Sequence, residues 1–228
     1  MAWDGFERAH ATGDVMEFKF RVAHNLQSLS DENGEREFSV PIAILFVIDE
    51  QNGGDATARE VIRRFGLLDV ESRNVIDFFF LGWRLVNERP QFDLAEFNSC
   101  RRALRDAGVV RFGGNADLYV LDAWWRNGRV ELDFQKAIHV DLAAAAAKRK
   151  IDTVGSFLQG LIDVTEAVRS SSPTGGSVIH ISNRLGLAFA KQSFVEFVLN
   201  KWGGFVGANR LAEFVTQNVG STVDLAKI

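Results

Sequence analysis

The single cysteine is the first residue that could carry catalytic chemistry. Two arginines follow Cys100, and cationic neighbours stabilise a reactive thiolate. Asp93 and Glu96 form a capping box, however, so we expect a helix that begins near Asp93 and carries Cys100 in its middle. On that helix Phe97, Cys100 and Leu104 share one face, which predicts a buried structural thiol. One cysteine also excludes a disulfide framework and a cysteine-based zinc site.

The stretch "VELDFQK" has the composition of the acidic-x-lysine element of metal-dependent nucleases. That element needs an acid and a lysine two residues apart on a strand, because alternate side chains point to the same face. Asp133 and Lys136 are three apart, and Glu131 and Lys136 are five apart. Both spacings place the two side chains on opposite faces, so the sequence does not predict a nuclease.

Metal and cofactor sites have little support in the sequence. The four histidines are His10, His24, His139 and His180, and none has another histidine or a cysteine at metal-ligand spacing. The closest approach is His139 with Asp141, which is typical of a polar strand end. The glycines of "EQNGGD" lack the rest of a P-loop or dinucleotide fingerprint, and the surrounding acids would repel phosphate. We therefore predict no metal, no cofactor and no catalytic residue.

Composition narrows the classes of partner. The chain has 228 residues, a formal net charge of −4 and a hydrophobic content of 46%, so it can bury a substantial core without attracting nucleic acid. No apolar run approaches the roughly 20 residues that span a bilayer, and no secretion signal is evident at the N-terminus. We expect a cytoplasmic protein that binds neither nucleic acid nor membrane.

Strand and helix patterns alternate through the middle of the chain. Predicted strands cover residues 41–49, 74–83, 116–125 and 129–140. Predicted helices cover residues 56–68, 93–107 and 152–169. The last two strands are joined by Asn127-Gly128, the strongest signal for a tight hairpin turn. This order predicts an α/β fold, with a parallel pair of strands, an antiparallel pair and helices on both faces of one mixed four-stranded sheet.

These segments resemble the thioredoxin-like fold. "PIAILFVID" with the loop and helix after it resembles the strand and helix that bracket the thioredoxin redox motif. "DAWWRNGRVELDF" resembles the last hairpin, and "IDTVGSFLQGLIDVTEAVR" resembles the closing helix. The redox residues differ, because "DEQNGGDATARE" has no Cys-x-x-Cys and "RFGGNADLYV" has no proline at the position of the cis-proline. The resemblance therefore implies a redox-inactive member.

The flanking regions divide the chain into three parts. We predict an N-terminal segment at 1–37, a thioredoxin-like domain at 38–170, and a linker with a helical C-terminal extension at 171–228. In the first part, "VMEFKFRVAHNL" fits a strand with alternating Met16, Phe18 and Phe20, or a helix that packs Met16, Phe20, Ala23 and Leu26 together. In the third part, apolar helices at 183–202 and 208–219 must cover the sheet or pack on a partner.

Aromatic residues are the best candidates for binding. Adjacent residues on a strand point to opposite faces of the sheet. Either helices cover both faces at Trp124 and Trp125, or one of these two residues is exposed. The predicted protein-interaction residues are Trp83, Trp124, Trp125, Phe194, Phe197 and Trp202. We expect a non-catalytic adaptor, subunit or regulator that binds a protein or a second copy through its C-terminal helices. The alternatives are an enzyme that uses Asp49 and Asp122 near strand ends, or C-terminal helices that act on membranes.

Overall fold

A mixed β-sheet runs through the protein, and helices pack on both of its faces. The computed structural model describes residues 9–34, 37–72, 76–87, 89–109, 112, 114–135, 137–149, 151, 153–170, 215–217 and 219–228. Within these ranges the main sheet has eight strands, and two more strands form a separate hairpin. The predicted α/β class is confirmed.

The elements follow one another from an N-terminal strand to a C-terminal 3₁₀ helix. The strands are β1 (Ala9–Thr12), β2 (Glu37–Val47), β3 (Asp77–Leu81), β4 (Trp83–Val86), β5 (Arg89–Phe92), β6 (Ala116–Arg126), β7 (Arg129–Asp133), β8 (Ile138–Asp141), β9 (Val215–Gln217) and β10 (Thr222–Asp224). The helices are α1 (Val15–Asn33), α2 (Ala56–Arg63), α3 (Phe65–Glu71), α4 (Leu94–Asp106), α5 (Leu142–Ala147) and α6 (Val154–Ser170). Short 3₁₀ helices lie at Glu50–Asn52 and Leu225–Lys227.

The sheet combines a parallel and an antiparallel half. Its main strand order is β1-β3-β2-β6-β7-β10, in which β1, β3 and β2 are parallel and each later neighbour is antiparallel. β2 is central, and its side chains from Pro41 to Val47 are all buried. This is the arrangement expected for an unbroken apolar strand that is covered on both faces. The sheet is wider than the four strands that the sequence predicts.

β6 pairs with two strands along one edge. Its residues 123–126 pair with β7, and its residues 117–120 pair with β8. The sequence predicts one strand over 129–140, but the chain turns after Asp133 and places Phe134 in the core with 1% of its surface exposed. The predicted turn is confirmed, because Asn127 and Gly128 both have positive φ values, of 50° and 81°.

Helices divide the core into two layers. α2, α3, α5 and α6 pack on one face of the sheet, and α1 and α4 pack on the other. α1 buries Phe18, Val22 and Leu26, not the Met16 and Phe20 that the helical alternative placed in the core. The reason is the period of the helix: residues 18, 22 and 26 form one stripe, and burying that stripe leaves residues 16 and 20 on the solvent side.

The C-terminal residues belong to the sheet. Val215–Gln217 form β9, where the sequence predicts the end of a helix, and β10 pairs with β7. Val219, Val223 and Leu225 are buried with the residues of α1 and α4. The predicted linker covers 170–177, and its first residue, Ser170, is the last residue of α6. The rest of that linker and the predicted helix at 183–202 lie outside the described residues.

Candidate functional site

The loop after β2 occupies the position where the resemblance to thioredoxins expects a redox motif. Asp49 Oδ1 accepts hydrogen bonds from the backbone and side-chain amides of Asn52 at 2.9 and 2.6 Å. Asp55 Oδ1 accepts a 2.9 Å hydrogen bond from the first turn of α2 and so caps that helix. Glu50 forms an ion pair with Arg59. The carboxylates of this loop are therefore engaged in building the loop and the start of α2.

A pocket of about 230 Å³ opens beside the loop and is lined in part by Ile48, Ile62 and Trp83. Trp83 Nε1 donates a 2.8 Å hydrogen bond to the carbonyl oxygen of Val47, and the residue is 4% exposed. This predicted interaction residue thus lies in the core, where its indole supports the end of β2.

Close backbone contacts shape the same end of the sheet. Gly82 follows β3 with a φ of +81°, and a Cβ atom there would lie 2.5 Å from Cβ of Phe97 in α4. A Cβ atom on Gly54 would collide with the carbonyl oxygen of Ile48. Both positions require glycine because a side chain has no room. These close contacts therefore fix the path of the backbone at the carboxyl ends of β2 and β3.

Cys100 is a buried structural thiol in the middle of α4, as the sequence predicts. It is 1% exposed and packs in the layer that contains Phe97 and Leu104. Burial raises the pKa of the thiol to about 12, and the negative charges of Glu96 and Asp14 add to that rise. A thiol with this pKa stays protonated at neutral pH, so it is a poor nucleophile.

A buried histidine and aspartate were missed by the sequence reasoning. His139 of β8 and Asp117 of β6 lie 2.7 Å apart, measured from Nε2 to Oδ1. Asp117 Oδ2 also accepts a hydrogen bond of 3.2 Å from the backbone amide of Gly114. In the sequence the nearest candidate partner of His139 is Asp141, which is only two residues away. The true partner is 22 residues away and is reached only through the register of the two strands.

Tyr119 completes this polar cluster. Its ring centroid lies 4.8 Å from that of His139, and burial raises its pKa above the usual range. The negative charge of Asp117 acts in the same direction, while the charge of Arg101 opposes it. His139 is only 5% exposed, and its Nδ1 is buried among the described residues. The pair of Asp117 and His139 ties β6 to β8.

An open groove lies beside α1. Met16 and Phe20 are 69% and 66% exposed, and the ring of Phe20 stacks on His24 with 5.7 Å between centroids. The groove measures about 850 Å³, and Trp125 and Leu225 contribute to its lining. Large apolar side chains that stay in water beside a concave surface are typical of binding sites.

The remaining predicted residues lie in several places. Trp125 is 7% exposed and lines the groove, whereas Trp124 is half-buried on the other face, with the Arg126 guanidinium 4.3 Å from its ring centroid. Asp122, proposed as a catalytic alternative, is 2% exposed in the middle of β6. The predicted interaction residues of the C-terminal extension lie outside the described residues. These are Phe194, Phe197 and Trp202.

The described ranges lack two further kinds of feature. No group of three or more histidine, cysteine, aspartate or glutamate side chains there could hold a metal ion. Among the helices in the same ranges, none is both long enough and apolar enough to span a membrane.

Comparison with known proteins gives no relative: no family model, no curated protein and no solved structure matches the chain.

Proposed function

We propose that the protein is a redox-inactive, thioredoxin-like interaction module that acts as an adaptor, subunit or regulator in a multi-protein assembly. The observation that carries the proposal is the exposed apolar side of α1, where Met16 and Phe20 border the groove. Burying one such side chain against a partner contributes about 1.5–3 kcal/mol. Contact with a partner protein therefore explains this apolar face better than permanent exposure to solvent does.

The sheet supports the thioredoxin-like part of the proposal. β2 and β3 are parallel and are joined through α2 and α3, and β6 and β7 then form an antiparallel hairpin. This is the order of elements that the resemblance implies. Fold alone does not determine function, so the functional argument depends on the exposed surface.

The single thiol supports the redox-inactive part of the proposal. A dithiol exchange needs two cysteines, and this chain has one. Burial of Cys100 and its raised pKa oppose formation of the thiolate. The carboxylates at the start of α2, where the redox motif would lie, serve as caps.

Substitution of one exposed side chain tests the proposal. We expect Phe20→Asp to weaken partner binding by about ten- to a hundredfold, because the apolar contribution of the ring is lost and a charge is placed in its position. Leu67→Asp is the matched control, since Leu67 is 52% exposed on α3, on the other face of the sheet. The measurement is quantitative affinity capture from the native host with wild-type protein and both variants.

Circular dichroism should first show that the variants fold like the wild type. Proteins that are retained by wild type and Leu67→Asp but depleted with Phe20→Asp would support the groove as an assembly surface. Equal capture by all three forms would contradict it.

A further inference from the structure

The sulfur-containing side chains of the protein lie in very different surroundings. The chain has one cysteine and two methionines, which are Cys100, Met1 and Met16. Cys100 is 1% exposed in the middle of α4, whereas Met16 is 69% exposed in the first turn of α1. Met1 lies outside the described residues. Among the described residues, an oxidant dissolved in water therefore reaches the thioether of Met16 and does not reach the thiol of Cys100.

The chemistry of the two groups acts in the same direction as their exposure. Peroxides react with the thiolate form of cysteine, and burial raises the pKa of Cys100 to about 12, so this thiol stays protonated at neutral pH. The thioether of methionine has no proton to lose and reacts in its ordinary form. Exposure to solvent is therefore the main requirement for its oxidation, and Met16 meets that requirement.

The position of Met16 on α1 determines what its oxidation changes. Asp14 caps the helix by accepting a 2.8 Å hydrogen bond from its first turn. Phe20 lies about one turn after Met16, is 66% exposed and lines the same groove. Phe18 and Val22, which pack α1 against the sheet, are buried on the other side of the helix. An oxygen atom added to Met16 therefore alters the exposed apolar face of α1 and leaves its packed face untouched.

We propose that Met16 is a reversible oxidation site that changes the exposed face of α1 from apolar to polar. A peroxide transfers one oxygen atom to the sulfur: its O–O bond breaks, an S–O bond forms, the thioether loses two electrons, and the peroxide leaves as water or an alcohol. A thiol-dependent methionine sulfoxide reductase reverses the step, because two thiols supply two electrons, become a disulfide and release the oxygen as water. This chemistry differs from dithiol exchange within the chain, which would need a second cysteine.

Peptide mapping after graded treatment with hydrogen peroxide tests the site. Trypsin separates Met1, Met16 and Cys100 into peptides that cover residues 1–8, 9–19 and 85–101, because it does not cleave between Arg89 and Pro90. We expect the peptide 9–19 to gain one oxygen atom while the peptide 85–101 keeps the mass of the free thiol. Oxidation of Cys100 before Met16 would overturn the proposal. So would an unmodified peptide 9–19 in a solution where added free methionine is oxidised.

Two variants distinguish a change of surface from a change of fold. Met16→Leu keeps the face apolar and cannot be oxidised, and Met16→Gln introduces a polar side chain of similar length. On a hydrophobic-interaction column we expect peroxide-treated wild type to elute early, close to untreated Met16→Gln, and treated Met16→Leu to keep its position. Thermal melts of wild type should be the same before and after treatment, because the packed face of α1 is not altered.

Two results of this comparison would overturn the proposal. An equal shift in the elution of treated Met16→Leu would show that another residue changes the surface. Unfolding of treated wild type, with Met16→Leu still folded, would show that Met16 supports the core and that its oxidation does not act on the surface alone.

The effect of oxidation on assembly rests on the proposed function. Treated wild type should retain about five- to tenfold less of its partner proteins than untreated wild type, because a sulfoxide loses most of the apolar contribution of methionine. Treated Met16→Leu should retain them unchanged. Equal capture before and after oxidation, with capture still lost in Phe20→Asp, would overturn this effect and leave the proposed function intact. Capture that Phe20→Asp does not reduce would contradict the proposed function, whereas the mapped oxidation of Met16 would still support the site.

Discussion

Two regions of the molecule differ in how their surface groups are satisfied. One is the carboxyl ends of β2 and β3, and the other is the groove beside α1. At the strand ends, Asp49 and Asp55 are engaged as caps, Trp83 is hydrogen-bonded in the core, and glycines admit close backbone contacts. In the groove, large apolar side chains of α1 remain in water. The polar groups of the first region are satisfied within the chain, whereas the second region keeps exposed apolar side chains among the described residues.

This difference shows why position in a fold is a weak guide to function. Sheets with parallel strands commonly bind ligands at the carboxyl ends of the strands. Here a pocket of about 230 Å³ does open at that end, but Asp49 and Asp55 beside it accept hydrogen bonds from the local backbone. The two most exposed large apolar side chains, Met16 and Phe20, lie on a helix face instead.

The largest effect on stability should come from Gly82→Ala. The new methyl group would lie 2.5 Å from Cβ and 2.8 Å from Cα of Phe97, at a φ of +81°. Overpacking and the left-handed backbone together should cost about 3 kcal/mol or more. Gly53→Ala is the control, because its φ is also positive but no atom lies within 4 Å of the added carbon. Urea denaturation should give a lower midpoint for Gly82→Ala than for Gly53→Ala. Equal midpoints would show that Gly82 and Phe97 are not in close contact.

The buried pair should give a smaller effect. His139→Phe removes the closest hydrogen-bond partner of Asp117 and should reduce the free energy of unfolding by about 2–3 kcal/mol. The double variant Asp117→Leu with His139→Phe should recover part of that loss, since the carboxylate that lost its histidine partner is removed as well. Denaturation of wild type, both single variants and the double variant gives the coupling energy. A coupling near zero would mean that the pair does not tie β6 to β8.

Cys100 should have the smallest effect at neutral pH. Cys100→Ser places a polar hydroxyl in an apolar contact and should cost about 1 kcal/mol. Because the pKa of the folded thiol is raised from 9.0 to about 12, the unfolded state loses its proton first. The contribution of the thiol is therefore complete below pH 9 and is lost as pH rises towards 12. Wild type should lose more stability than Cys100→Ser between pH 8 and pH 10.5 in thermal melts, and parallel curves would contradict the raised pKa.

Much of the central fold could be predicted from local patterns. The apolar run of β2, the Asp93 N-cap of α4 and the Asn127-Gly128 turn each specify their element through nearby residues. β9 and β10 could not be predicted in this way, because three-residue strands have no readable period and exist only through their partners. The β4–β5 hairpin was also missed, since its residues are mostly exposed and show no alternation.

The candidate sites were harder to predict than the elements. The groove depends on which stripe of α1 faces the core, and two stripes of similar apolar character compete in the sequence. The proximity of Asp117 and His139 depends on strand register, which local composition does not encode.

The late strand β10 has a consequence for how the protein is made. Thr222 of β10 hydrogen-bonds to Asp133 of β7, which is 89 residues earlier in the chain. During synthesis, β7 must therefore wait with an unpaired edge until residues 222–224 have left the ribosome. At about 5–20 residues per second this wait lasts some seconds, longer than most small domains need to fold. A nascent chain in this interval exposes a strand edge and the apolar layer that Val223 and Leu225 later cover, and these are surfaces that chaperones protect.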